Sequence, residues 1–237
     1  MNEHQHIRKA TNLLGQFLSE HRKQLIEQVL TNRTRYLTVV LEDIWQPQNA
    51  SAVIRSCECF GVQDLHVIEK TNSFRPNPKV TQGSSKWLDI YRYTDKPDST
   101  RLCLDTLRNH GYRLLAAGFT DAAVKLADIP LDQPLAVCIG AEEHGLSETA
   151  LEHADMVVKI PMCGFTQSFN LSVSAALCMY ELCNRIKTTR NDWRLSETMR
   201  DKIRLKWYMK SVRNPLALLR EFGYGDMFSN TVLSSYG

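Results

Sequence analysis

Short apolar runs that alternate with helical segments constrain the fold of this chain more than any other feature. The runs occupy residues 36–41, 65–68, 113–117, 134–139 and 156–160. Segments with helical periodicity lie between and after them, at residues 49–60, 102–109, 147–153 and 170–186. Strands that are apolar on both faces and separated by helices are typical of a parallel sheet covered by helices on both sides. We therefore predict an α/β fold built on such a sheet.

Both ends of the chain have a helical pattern of their own. Residues 6–30 predict one amphipathic helix, and residues 193–222 predict helix with a break at Pro215. The predicted organisation is a helical arm at residues 1–36, an α/β core at residues 37–186 and a basic helical extension at residues 187–237.

Charge is distributed unevenly along the chain. Residues 185–237 carry 11 Lys or Arg and five Asp or Glu, whereas residues 37–184 carry 12 and 18. Basic ends around an acidic middle suggest a polyanionic partner, although a solvated helical face explains the same pattern.

Composition narrows the class of protein. The chain of 237 residues is 43% hydrophobic and 23% charged, which is ordinary globular composition. Its seven cysteines include no C-x-x-C pair, so we expect no zinc site and no metal. The N-terminus is polar, and no apolar run approaches the ~18 residues of a membrane span. We predict a soluble, reduced, cytoplasmic protein with no membrane segment.

Common active-site signatures are absent or broken. The dinucleotide fingerprint, the serine-hydrolase elbow and the metalloprotease motif do not occur. Gly140 and Gly145 have the glycine spacing of a P-loop, but Leu146 stands where the phosphate-binding lysine is needed. Dehydrogenase, nucleotide triphosphatase and common hydrolase chemistries are therefore disfavoured.

Three polar segments follow predicted strands, where open parallel sheets bind their ligands. The side chains of interest are Asn49, Arg55, Glu142, Ser168 and Asn170. Each has an ordinary structural explanation: the two asparagines and Ser168 can cap helices, and Arg55 can extend into solvent. Residues 140–145 can equally form a tight turn between strand and helix.

Taken together, the three segments resemble the motifs of the SpoU–TrmH branch of the SPOUT methyltransferases. The first motif of that family pairs an asparagine with an arginine six positions later, as Asn49 and Arg55 are paired here. The second is an apolar strand followed by Gly-x-Glu and a nearby glycine, here Gly140, Glu142 and Gly145.

The third motif is Ile-Pro-Met followed by Ser-Leu-Asn-Val-Ser, here residues 160–162 and 168–172. Phe169 and Leu171 replace the usual Leu and Val, and the bulkier Phe169 is expected to reshape the adenine pocket. The resemblance covers residues 37–186.

The resemblance implies a fold, a cofactor and an assembly. The fold is a sheet with a deep C-terminal trefoil knot, a feature that periodicity alone does not reveal. The cofactor is S-adenosylmethionine, and the family is homodimeric. By the same resemblance, the cofactor contacts are Ala117, Gly140, Ile160 and Phe169.

The reaction that the resemblance implies is methylation of a ribose 2′-hydroxyl in RNA. Arg55 matches the family's essential arginine. Because a guanidinium stays protonated in proteins, we expect Arg55 to hold a phosphate and polarise the hydroxyl rather than to act as a base. Supporting roles in orienting the loops, the ribose and Arg55 are assigned to Asn49, Glu142, Ser168 and Asn170.

The plan of arm, core and tail resembles the tRNA enzymes that methylate the D-loop guanosine, guanosine 18. The 36 residues before the core are too few for the RNA-binding domain of many ribosomal-RNA members. In the tail, Trp193, Trp207 and Tyr208 either pack on the protein or stack on bases, and packing is favoured.

The alternatives to a tRNA D-loop methyltransferase are the same reaction on ribosomal RNA, the same reaction at another tRNA position, or a non-catalytic RNA-binding protein of the same fold. A small-molecule methyltransferase is disfavoured because it has no need of a basic tail.

Overall fold

The computed structural model describes residues 3–94, 98–118, 120 and 122–224. Among these residues, 34–193 form one compact unit, and 3–33 together with 194–224 form another. The division into residues 1–36, 37–186 and 187–237 stays a prediction.

The first unit is built on a parallel sheet. Its strands are β1 (Leu37–Glu42), β2 (Asp64–Ile68), β3 (Asp89–Tyr93), β4 (Arg113–Ala117), β5 (Val124–Lys125), β6 (Leu135–Ile139) and β7 (Met156–Lys159). Their order is β3-β2-β1-β6-β4-β7-β5, and every pairing is parallel. The five predicted strands are confirmed, each within one residue at either end. Sequence periodicity missed the two edge strands, β3 and β5, of which β5 has only two residues.

Helices connect the strands and form the second unit. In the described residues they are α1 (Glu3–Gly15), α2 (Glu20–Leu30), α3 (Pro47–Phe60), α4 (Pro78–Thr81), α5 (Ser99–Asn109), α6 (Glu148–His153), α7 (Leu171–Thr189), α8 (Glu197–Ser211) and α9 (Pro215–Glu221). Two short 3₁₀ helices cover Ser84–Trp87 and Leu126–Asp128. The second unit contains α1, α2, α8 and α9.

Apolar side chains cover both faces of the sheet, as predicted. On β6, Val137 belongs to the cluster that α3 and α7 complete, whereas Ala136 and Cys138 belong to the cluster that α5 and α6 complete. Adjacent strand residues point to opposite faces, so two buried layers enclose the sheet. The α/β fold with helices on both faces is confirmed, and the trefoil knot stays a prediction.

The single helix predicted over residues 6–30 is wrong, because the chain turns between α1 and α2. A Cβ at Gly15 would meet the Tyr208 ring at 3.3 Å, so the absent side chain lets α1 approach α8 closely. Ser19 then starts α2 by accepting a hydrogen bond from the Arg22 amide. A capped second start after a short turn divides the periodic segment into two helices.

In the basic extension, α8 ends at Ser211 and α9 begins at Pro215, so the break predicted at Pro215 is confirmed. Asn214 adopts φ +51°, and Pro215 occupies the first turn of α9. Trp193, Trp207 and Tyr208 are all buried, so the packing alternative is confirmed for these aromatics.

Ion pairs inside the helical unit already use part of its positive charge. Arg8 pairs with Asp201 and Glu197, and Arg204 pairs with Asp201 and Glu27. Although burial opposes ionisation, hydrogen bonds and charges from Arg8, His4 and Arg204 lower the pKa of the Asp201 carboxyl. The number of basic residues therefore overstates the charge that the tail presents to a partner.

Candidate active site

The carboxyl ends of the neighbouring strands β1, β6, β4 and β7 lie on the same side of the sheet, and the polar segments meet there. A cavity of about 590 Å³ lies there, lined by strand ends and by the loops that follow them. Its lining includes the expected cofactor contacts Ala117, Gly140, Ile160 and Phe169. It also includes Glu142, Ser168 and Asn170. A partly apolar cavity with a few polar groups is typical of a small-molecule site.

The loop after β6 folds tightly against its own start. Ala141 and Gly145 exchange two backbone hydrogen bonds of 3.1 and 2.9 Å, and Gly145 adopts φ +67°. A Cβ at Gly140 would lie 2.0 Å from the Gly145 carbonyl carbon and 2.2 Å from the Leu146 nitrogen. No side chain fits at Gly140 without moving this backbone, so the glycine shapes one wall of the cavity.

The Asn49 amide joins the three polar segments. Its Nδ2 donates to Glu142 Oε1 at 2.5 Å and more weakly to Gln46 Oε1 at 3.2 Å. Its Oδ1 accepts from Asn170 Nδ2 at 3.1 Å. The side chain is buried, with 7% of Asn49 exposed, which favours these bonds over bonds to water. The structure therefore brings one residue from each motif into a single hydrogen-bonded chain.

Helix capping explains one asparagine and not the other. The cap residue of α3 is Gln46, so Asn49 lies inside the helix and its side chain crosses to other loops. Asn170 caps α7 by accepting from the Ser172 amide at 2.9 Å, and it also donates to Asn49. The capping alternative is therefore wrong for Asn49, whereas Asn170 serves both purposes.

Arg55 and Ser168 stand apart from this chain of hydrogen bonds. Arg55 is exposed on α3, and among the described residues no hydrogen bond or ion pair involves it. Ser168 is exposed and lines the cavity. The structure thus unites Asn49, Glu142 and Asn170, whereas Arg55 is exposed on α3 and is not among the residues that line the cavity.

Glu42, at the end of β1, is a buried acid that our sequence reasoning missed. It is 2% exposed and accepts hydrogen bonds from Ser147 and Thr100, and Lys70 lies 3.0 Å from its Oε1. Burial opposes ionisation, but these donors outweigh it and lower the pKa of the carboxyl. The sequence signal for this buried acid is an acidic residue at the end of an otherwise apolar strand, and that signal is weak.

The part of the chain that the structure describes offers neither a metal-binding cluster nor a membrane-spanning helix. No group of three or more His, Cys, Asp or Glu side chains is arranged to hold a metal ion there. Nor does any described helix combine the length and apolar character that crossing a membrane requires.

Comparisons with known proteins point in the same direction as the geometry. The tRNA (guanosine(18)-2'-O)-methyltransferase of Borreliella burgdorferi is 41% identical over 208 residues, 88% of this chain and 94% of that protein. A protein of the same name from Thermus thermophilus is 34% identical over 194 residues, 81% of this chain and 98% of that protein.

A solved structure and a family profile extend the comparison. The crystal structure of the A. aeolicus TrmH/SpoU tRNA modifying enzyme matches with a TM-score of 0.72 and 29% identity, over 82% of this chain and 98% of that one. The profile of the SpoU rRNA Methylase family matches residues 36–180. With more than half of its length matched and relatives aligned along most of theirs, the chain belongs to the SpoU rRNA Methylase family.

Proposed function

We propose that the protein methylates the ribose 2′-hydroxyl of guanosine 18 in tRNA, with S-adenosylmethionine as the methyl donor. The observation that carries the proposal is the hydrogen-bonded chain Glu142–Asn49–Asn170 at the edge of the cavity. It joins one residue from each of the three motifs. The names of the two curated relatives support the choice of nucleotide and substrate.

The cavity fits the proposed cofactor in size and chemistry. Its volume of about 590 Å³ lies within the range of roughly 300–1,000 Å³ for small-molecule sites. Ile160 and Phe169 offer apolar surface for an adenine ring, and Gly140 and Ala117 allow a ligand close to the backbone. We propose these four residues as the cofactor contacts. When bound, S-adenosylmethionine supplies a methyl group activated by its sulfonium.

The protein's own residues would prepare the ribose for reaction. Arg55 is free to bind an RNA phosphate with two parallel hydrogen bonds and to polarise the 2′-hydroxyl. The hydroxyl oxygen would bond to the methyl carbon as the bond from that carbon to the sulfonium sulfur breaks, so S-adenosylhomocysteine would be the leaving group. The hydroxyl proton would pass to water or to a phosphate oxygen. Asn49, Glu142, Ser168 and Asn170 hold the loops that orient the ribose, because alignment of the reacting groups contributes much of the rate.

RNA binding by the basic tail depends on the cations that ion pairs leave available. Arg190 pairs with Asp192, and Arg204 pairs with Asp201 and Glu27. Arg213 and Arg220 are exposed, and no ion pair involves either of them within the described residues. We propose that these two arginines contact tRNA phosphates, which makes binding weaker as salt is raised.

We also propose that the protein acts as a homodimer. Val173, Leu177 and Tyr180 are exposed on α7 at spacings of four and three residues, so they form one apolar stripe. A second copy of the chain would cover this stripe. Leu177→Glu should then sediment as a monomer, and a persisting dimer would contradict this interface.

The knot and the cellular location complete the proposal. After β7 the chain returns to α7, which contacts β1 and β6, and Arg185 on α7 donates to the Ile129 carbonyl at 2.8 Å. We propose that residues 160–170 reach α7 by threading the preceding loop. Pulling the two termini apart should then extend the unfolded chain by less than the about 3.3–3.6 Å per residue of a fully extended chain, because the tightened knot retains some residues. A tRNA substrate and seven free cysteines support a reduced, cytoplasmic location.

The experiment is methyl transfer from labelled S-adenosylmethionine to unmodified tRNA transcripts and ribosomal-RNA fragments, followed by mapping of the labelled nucleotide. We expect label at guanosine 18, lost in Arg55→Ala and kept in Arg101→Ala, a change of another exposed arginine. Label only on ribosomal RNA would keep the chemistry and reject tRNA as substrate. Cofactor binding without transfer to any RNA would favour the non-catalytic alternative.

A further inference from the structure

Glu42 is a buried acid that belongs to none of the three motifs. A buried carboxylate without partners costs several kcal/mol, so its ionised form persists only with hydrogen-bond donors or positive charge around it. Glu42 lies at the carboxyl end of β1, at the edge of the sheet that carries the cavity. Its partners therefore indicate what the carboxylate holds in place.

One residue at the end of the loop after β6 gives Glu42 two hydrogen bonds, more than any other partner. The Ser147 amide donates to Oε2 at 2.8 Å, and the Ser147 hydroxyl donates to Oε1 at 2.7 Å. Thr100 on α5 donates to Oε1 at 2.6 Å. Lys70 adds a positive charge 3.0 Å from the same oxygen. Hydrogen bonds to an ionised acceptor are roughly twice as strong as neutral ones, so Ser147 is held firmly.

Ser147 ends the loop that forms part of the cavity wall. The loop starts at Gly140, where contact with Gly145 leaves no room for a side chain. At its middle, Glu142 accepts from Asn49. At its end, Ser147 caps α6 and bonds to Glu42. Glu42 is the last residue of β1 and Asn49 lies in α3, so β1 and α3 each hold the same loop at one point.

We propose that Glu42 is a positioning residue for the cofactor site: it fixes the end of the loop of residues 140–147 so that the cavity keeps the shape that binds S-adenosylmethionine. The identity of the ligand rests on the proposed function. The carboxylate does not line the cavity, so its effect passes through Ser147 and the loop.

The test compares Glu42→Gln with a control, Thr100→Val. The control removes the hydrogen bond that α5 donates to Glu42 Oε1 and leaves the two bonds from Ser147 in place. The amide of Gln cannot accept from both the Ser147 amide and Lys70 as the carboxylate does. For Glu42→Gln we expect the KM and the Kd for S-adenosylmethionine to rise about 10-fold, with kcat at saturating cofactor within about twofold of wild type. Thr100→Val should change the Kd by less than about twofold.

A purely structural role gives a different result. Glu42→Gln would then unfold at a lower temperature but bind the cofactor with wild-type affinity well below its Tm, which overturns the proposal. If Glu42→Gln does not fold, Ser147→Ala replaces it, because this change removes the hydroxyl bond to Glu42, together with the cap that the hydroxyl gives α6, and keeps the amide bond to Glu42. A folded Ser147→Ala with unchanged cofactor affinity also overturns the proposal. Wild-type protein that fails to bind S-adenosylmethionine refutes the proposed function instead.

Discussion

Replacing Gly140 by alanine should move the wall of the cavity by a predictable distance. The added Cβ would lie 2.0 Å from the Gly145 carbonyl carbon, whereas real Cβ atoms keep at least 3.0 Å from such neighbours. The loop must therefore shift by about 1 Å or more. Such a shift also strains the two hydrogen bonds between Ala141 and Gly145, each worth about 1 kcal/mol.

We expect Gly140→Ala to lose about 2 kcal/mol of stability and to bind S-adenosylmethionine about 100-fold more weakly, since misplacement by 1 Å commonly costs that factor. Titration calorimetry measures the affinity, and urea unfolding measures the stability. The control is Gly111→Ala, where φ is +81° but a Cβ meets nothing within 4 Å. It should lose about 1–2 kcal/mol and keep cofactor affinity. Wild-type affinity in Gly140→Ala would refute the steric argument.

Three further predictions concern the hydrogen-bonded chain, a buried histidine and the tail. Asn49→Ala should lower kcat/KM about 100-fold while the circular dichroism stays native, because Glu142 and Asn170 lose their common partner. Burial lowers the pKa of His66 from 6.5 to about 4, so only the unfolded chain takes up a proton between these pH values. Because of His66, the free energy of unfolding should fall by about 3 kcal/mol from pH 6.5 to pH 4. Urea unfolding of His66→Phe should show a free energy of unfolding that lacks this contribution to the pH dependence. Replacing Arg213 and Arg220 by alanine should reduce the slope of log K for tRNA against log salt by about 1.5. Arg204→Ala should mainly destabilise its helices, seen as a lower Tm without a matching change in salt slope.

Buried strands were predictable from sequence, and edge strands were not. The five predicted strands are apolar on both faces because helices cover the sheet on both sides. β3 lies at one edge and carries the exposed Arg92 between two tyrosines, so it lacks a continuous apolar run. β5 has two residues, too few for any period. The turn after Gly15 was missed because close contact with Tyr208 joins residues far apart in sequence.

The site was predictable as a set of segments but not as a set of contacts. Residues that follow parallel strands gather where the carboxyl ends of the strands meet, so the sequence alone favours proximity of Asn49, Glu142 and Asn170. The resemblance to known motifs selected these side chains. That Asn49 donates to Glu142 and accepts from Asn170 depends on loop geometry that spacing does not encode. Glu42 was missed because one acidic residue at a strand end predicts exposure as readily as burial.

The central claim is that the methyl group reaches the ribose oxygen of one guanosine in tRNA. Its most direct test compares two otherwise identical tRNAs, one with guanosine and one with 2′-deoxyguanosine at position 18, in transfer from labelled S-adenosylmethionine. We predict one methyl group per tRNA in the first and none in the second, with both bound equally well. Equal methylation of the two tRNAs would contradict the account.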